Sequence, residues 1–87
     1  MDSEGFVKAV EGHFVPIAPI IEFAIRKQLS EVGADRRTLT AEQAVKFIDK
    51  MVGALDLFLG PSQAKESKQV MMKELRKFAP EYFESLT

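Results

Sequence analysis

The stretch from Phe14 to Ile25 constrains the fold of this chain more than any other segment. It is almost entirely apolar, it carries one charged residue, Glu22, and Pro16 and Pro19 interrupt its first half. A membrane-spanning helix needs about 20 predominantly apolar residues. The stretch is too short for that, so we expect no membrane partner and predict burial against the rest of the chain or against a protein.

The composition points to one small helical domain, residues 1–87, held together by apolar side chains. A chain of 87 residues has room for one hydrophobic core. It contains no cysteine, so neither disulfides nor cysteine-bound metal can stabilise it. Its 12 basic and 13 acidic residues nearly cancel, so no overall charge attracts nucleic acid. Residues 1–5 lack the features of a signal peptide, and we expect a cytoplasmic protein.

The spacing of apolar residues predicts helices in the first half of the chain. The first helix is expected to be capped by Asp2 or Ser3 and to end at Gly12. The second is expected to open at Pro16 and to stop at Gly33, which suits the left-handed position after a helix. Seven residues form its predicted buried arc: Ile17, Ile20, Ile21, Ala24, Ile25, Leu29 and Val32.

The third helix has the clearest start, because Thr40 and Gln43 form a capping box. Ten of its residues are predicted to fill an apolar half: Ala44, Val45, Phe47, Ile48, Met51, Val52, Ala54, Leu55, Phe58 and Leu59. Gly60-Pro61 leads directly into a fourth helix, from about Ser62 to Phe78, and a last turn is expected from Glu81 to Leu86. No segment alternates like a strand. The predicted fold is all-α, a compact bundle of four main helices plus a short C-terminal helical turn.

No set of residues predicts a catalytic, cofactor or metal site. His13 is the only histidine, and one histidine without cysteine has no recognised metal-ligand spacing, so we expect it at the solvent edge. Glu22 is expected to pair with Arg26, four residues further on, rather than to act as a catalytic acid. We therefore predict that the chain is not an enzyme and that it needs no cofactor.

The fourth helix carries the most basic segment of the chain. Four of its basic residues are candidates for contacting nucleic acid: Lys65, Lys73, Arg76 and Lys77. They follow the tight Gly60-Pro61 turn, in the manner of a helix-turn-helix. The interpretation we favour is a solvated face, because nucleic-acid-binding domains usually carry net positive charge and this chain has a formal net charge of −1.

Four apolar residues are candidates for a partner-binding surface. Phe23 and Leu57 fall outside the apolar faces of their helices, and Met71 and Met72 have the adaptable shape common at protein interfaces. A neighbouring helix of the bundle covers such residues equally well. The first hypothesis is a non-enzymatic helical interaction or regulatory module that binds a protein partner or a second copy of itself.

The segment around the two prolines resembles the opening of a known helical domain. The run from His13 to Ile21, continuing to Lys27, is similar to the start of a small helical domain appended to some bacterial serine/threonine kinases and response regulators. In that family an aromatic or β-branched pair, a Gly-Pro, an Ile-Ala and an aliphatic helix with a basic end recur. Here Val15 stands where glycine is usual, and Pro19 is a second proline. The resemblance implies a regulatory or interaction role and supplies no catalytic residues.

Overall fold

The computed structural model describes residues 1–85, which form five helices and no strand. In chain order they are α1 (Ser3–Phe14), α2 (Ile21–Glu31), α3 (Ala41–Leu59), α4 (Pro61–Phe78) and α5 (Pro80–Ser85). The predicted all-α fold with four main helices and a short C-terminal helix is confirmed. Leu86, at the end of the predicted last turn, lies outside the described residues.

Side chains cap α1 and α3 as their sequences predict. The Asp2 carboxylate accepts a hydrogen bond from the Gly5 N–H at 2.9 Å. At the start of α3, the Thr40 hydroxyl accepts from the Gln43 N–H at 3.2 Å, and Gln43 Oε1 accepts from the Thr40 N–H at 2.9 Å. Gln43 Nε2 also donates to the Val32 carbonyl at 3.1 Å. The capping box therefore also ties the start of α3 to the end of α2.

The segment around the two prolines differs from the prediction. α1 continues through Gly12 to Phe14, and α2 begins only at Ile21. Residues 15–20 form successive turns, in which the Ala18 N–H donates to the Phe14 carbonyl at 3.1 Å. Pro16 and Pro19 have no backbone N–H to donate. Two donors are therefore missing within this short segment, and it forms turns instead of a continuous α-helix.

This late start also corrects part of the predicted buried arc of α2. Ile17 and Ile20 precede the helix and are 63% and 54% exposed. Ile21, Ile25 and Leu29 are buried as predicted. The helix ends as expected, because Gly33 follows it with a φ of +77°.

The core lies mainly between α1, α3 and α4. α3 and α4 form the most extensive helix pair, joined at Gly60, whose φ of +89° favours glycine. The rings of Phe6 and Phe47 meet edge to face, with centroids 6.2 Å apart. Eleven large side chains are completely or almost completely buried: Phe6, Val7, Val10, Ile21, Ile25, Phe47, Ile48, Met51, Leu55, Met71 and Leu75. Phe58, expected on the apolar half of α3, is instead 48% exposed.

The connection between α2 and α3 is fastened to α1 by buried and charged contacts. The buried Ser3 hydroxyl donates to the Arg36 carbonyl at 2.8 Å and accepts from the Leu39 N–H at 3.0 Å. The Arg36 guanidinium makes two hydrogen bonds to Glu11, at 2.7 and 3.3 Å. Because these contacts fix the connection, α2 is held beside α1 and α3.

Candidate interaction surface

Four large apolar side chains that face solvent meet at a groove between α2 and α3. Leu57 is 87% exposed and Phe23 is 68% exposed, and Ile20 and Phe58 join them at about half exposure. The groove encloses about 420 Å³. We call it the α2–α3 groove, and its lining consists of Ile20, Phe23, Ala24, Lys27, Gln28, Ala54, Leu57 and Phe58.

Helical spacing places the groove residues in two facing rows. Phe23 and Lys27 stand one turn apart on α2, and Ala54 and Leu57 stand one turn apart on α3. The end of α2 is held to the middle of α3 by the ion pair between Glu31 and Lys50, whose charged atoms lie 3.5 Å apart. The rows therefore belong to packed helices rather than to loops.

The structure brings together two residues that the sequence singled out separately. Phe23 and Leu57 are 34 positions apart and line the same groove. Helical periodicity does not single out Ile20 and Phe58, because it predicts that both lie on buried faces. In the structure, both side chains belong to the same exposed apolar surface as Phe23 and Leu57.

Lys27 is the one charged side chain that lines the α2–α3 groove among the described residues. The nearby carboxylates of α2 already have partners. Glu22 pairs with Arg26 at 3.2 Å, which confirms that prediction, and Glu31 pairs with Lys50. Across residues 1–85, Lys27 enters no ion pair and its side chain is exposed. The groove thus combines an apolar wall with one available positive charge.

The two methionines proposed as partner-binding residues do not line this groove. Met71 is completely buried in the core, so its predicted place on a partner surface is wrong. It belongs to the same helical stripe as Ala64 and Leu75, and that stripe faces the core. Met72 is half-buried and borders a separate, shallow depression on α4 beside Lys73 and Arg76.

The basic residues of α4 lie on the surface, and some of them already have intramolecular partners. All four candidates for nucleic-acid contact are exposed: Lys65, Lys73, Arg76 and Lys77. Lys77 lies 3.5 Å from a Glu74 oxygen, and the Arg76 guanidinium stands over the Phe83 ring, 5.2 Å from its centre. These contacts leave Lys77 and Arg76 less charge and less side-chain freedom for binding phosphate. Lys65 and Lys73 remain candidates for contacting nucleic acid.

His13 links α1 to α4 at the solvent edge. Its Nε2 lies 3.2 Å from the Glu74 carboxylate, and the His13 side chain is 45% exposed. Burial pushes the pKa of Glu74 upward, but the hydrogen bonds with His13 and Lys77 and the charges of those groups outweigh burial and hold the pKa below its usual value. The contact ties two helices together, in agreement with a structural His13.

The remaining large cavity, of about 620 Å³, lies beside the α2–α3 connection and contains polar groups that already bind one another. Arg36 pairs with Glu11 there, and Asp35 accepts hydrogen bonds from the Arg37 and Thr38 backbone at 2.8 and 3.1 Å. Within the described part of the chain, no buried side-chain nitrogen or oxygen lacks a hydrogen-bond partner.

Residues 1–85 contain neither a cluster of metal ligands nor a membrane-spanning helix. No cluster of three or more potential metal ligands occurs among them. No helix in this range combines the length and the apolar character needed to cross a bilayer.

No protein-family model, curated protein sequence or solved structure gives a significant match to this chain.

Proposed function

We propose that this chain is a non-enzymatic helical module of the cytoplasm that binds a protein partner through the α2–α3 groove. The observation that carries the proposal is the meeting of Phe23 and Leu57, from different helices, in one exposed apolar groove. Contiguous exposed apolar surface is uncommon on a monomeric protein and is typical of interaction sites. Single exposed leucines are ordinary, so the grouping matters more than either residue.

Covering the two most exposed groove side chains can contribute several kcal/mol to binding. Burying a leucine or phenylalanine side chain completely is worth about 1.5–3 kcal/mol. Since Leu57 is 87% and Phe23 68% exposed, covering both corresponds to about 2–5 kcal/mol before the costs of association. Divided between the two residues, that is about 1–2.5 kcal/mol each, which is the size of contribution expected of central interface residues.

The resemblance to a domain appended to bacterial kinases and response regulators supports a regulatory role for this binding. The similar segment, residues 13–27, supplies the α2 side of the groove, including Ile20, Phe23 and Lys27. A module of this kind acts by bringing a partner to a protein or by covering part of one, so it needs no catalytic residues of its own.

The test is co-purification from the native cell with matched surface variants. Leu57→Asp places a charge in the groove, while Asp56→Ala changes the neighbouring exposed residue, which does not line it. We expect quantitative mass spectrometry to find a protein that is captured by the wild-type chain and by Asp56→Ala and is lost with Leu57→Asp. Identical captured proteins for all three chains contradict the proposal.

A nucleic-acid titration separates this proposal from the alternative. Purified protein is titrated with duplex DNA at low salt, and the wild type is compared with Lys73→Ala and Arg76→Ala. We expect no salt-dependent binding. Binding that weakens with salt and with both substitutions replaces the proposal with a phosphate-contacting α4.

A further inference from the structure

The shape of the α2–α3 groove fits one class of partner segment. The groove lies between two packed helices, and its walls present apolar side chains at one-turn intervals, including Phe23 on α2 and Leu57 on α3. An amphipathic helix presents apolar anchors three and four residues apart and lies in grooves of this kind. An added strand needs an exposed sheet edge, and the described residues contain no strand.

The positive charge of Lys27 further limits the kinds of segment that fit the groove. Lys27 is the one charged lining residue, and the carboxylates near it on α2 are occupied by Arg26 and Lys50. A cation covered by a docking helix loses contact with water, and it is best compensated by a carboxylate from that helix. An apolar helix without an acid leaves Lys27 unpaired under it, and a basic helix is repelled.

The same argument disfavours a second copy of the chain as the occupant. A two-fold interface places the same surface on itself, so each groove residue meets another residue of that groove. The groove lining contains Lys27 and no carboxylate, so the lining of a second copy offers no acid to Lys27. A separate segment that carries its own acid meets this requirement.

We infer that the α2–α3 groove binds an amphipathic helix whose apolar face carries, at its edge, an aspartate or glutamate that pairs with Lys27. This inference rests on the proposed function and adds to it the chemistry of the partner.

A displayed library of helices tests the inference without knowledge of the natural partner. The library consists of a helical scaffold on which two turns of one face are randomised. It is selected against the purified wild-type chain and, in parallel, against Lys27→Glu, Leu57→Asp and Lys8→Glu. Lys8 is an exposed lysine on α1 outside the groove, so Lys8→Glu makes the same change of charge elsewhere.

Selection against the wild type and Lys8→Glu is expected to enrich helices with apolar anchors and an acidic residue at one fixed edge position. The best of these is then synthesised and titrated. Its Kd is expected to rise about tenfold with Lys27→Glu, to change by less than about twofold with Lys8→Glu, and to rise beyond measurement with Leu57→Asp. Selection against Lys27→Glu is expected to enrich a basic residue at the same edge position.

Other outcomes distinguish a failure of this inference from a failure of the proposed function. Binders that depend on Leu57 but show no acidic preference overturn the inference and leave the proposed function standing. A library that yields no Leu57-dependent binder overturns both. Two further measurements compare the wild type with Leu57→Asp. A dimer in sedimentation equilibrium that depends on Leu57 identifies a second copy as the occupant. Binding to vesicles with anionic lipid that depends on Leu57 identifies a membrane surface as the occupant. Either result overturns the inference.

Discussion

Replacing Leu57 and Leu55 by alanine compares an exposed and a buried leucine two positions apart on α3. Leu57 is 87% exposed and Leu55 is completely buried. Full burial of a leucine is worth about 1.5–3 kcal/mol, so the buried eighth of Leu57 contributes about 0.2–0.4 kcal/mol. The better helix propensity of alanine offsets part of that. We expect Leu57→Ala to change the free energy of unfolding by less than about 0.5 kcal/mol.

Leu55→Ala is expected to behave quite differently, because it leaves a cavity in the core. Substitutions of this kind lower the free energy of unfolding by about 2–5 kcal/mol, which for a domain of this size lowers Tm by about 10 °C or more. Both variants are measured by urea unfolding followed by circular dichroism, at two protein concentrations. The concentrations matter, because a surface covered by a second copy gives a stability that rises with concentration.

The stability of Leu57→Ala alone decides whether the Leu57 side chain is exposed in solution. A loss of more than about 1 kcal/mol with Leu57→Ala means that the side chain is covered in the folded protein in solution. If that loss grows with protein concentration, a second copy covers the groove. If it does not, another part of the same chain does, and the α2–α3 groove is not available to a partner.

Three further predictions test the fold. Ser3→Ala removes the hydroxyl that bridges the Arg36 carbonyl and the Leu39 N–H, so urea unfolding is expected to show a loss of about 1–3 kcal/mol. Gly53→Ala, inside α3 where an added Cβ meets no atom within 4 Å, is expected to stabilise by about 0.5–1 kcal/mol, whereas Gly60→Ala, at a φ of +89°, is expected to destabilise by about 1–3 kcal/mol in the same assay. Because the pKa of Glu74 is lowered from its usual 4.5, its stabilising contribution is present above that value and is lost as the pH falls through the lowered pKa. The stability difference between wild type and Glu74→Gln, measured by unfolding across the acid range, is expected to shrink there; a difference that is constant with pH contradicts this assignment.

Features set by neighbouring residues were predictable from the sequence. The capping box of Thr40 and Gln43 involves two residues three positions apart, so no knowledge of the tertiary structure is needed to find it. The end of α2 at Gly33 is equally local, since glycine tolerates the positive φ that follows a helix. The start of α2 was not predictable, because a proline is compatible both with the first turn of a helix and with a turn before it.

The candidate site was predictable only in part. Phe23 and Leu57 stood out because each departs from the apolar face of its own helix. That they line one groove depends on how α2 packs against α3, which no local pattern encodes. Met71 and Met72 also show that burial depends on tertiary packing. Neighbouring residues of a helix point about 100° apart, so Met71 lies in the core while Met72 is only half-buried.

The late start of α2 explains why the apolar run contributes to both the core and the groove. If α2 began at Pro16, Ile20 would continue the buried arc formed by Ile21 and Ile25. Instead, the turns across residues 15–20 end at Ile20, which the structure leaves 54% exposed at one end of the groove, while Ile21 is completely buried. Pro19 restricts the backbone just before this point, so less conformational entropy is lost when that end is held in place. The run therefore divides in two: its inward side chains are covered by the chain itself, and Ile20 and Phe23 remain exposed in the groove that we propose binds a partner helix.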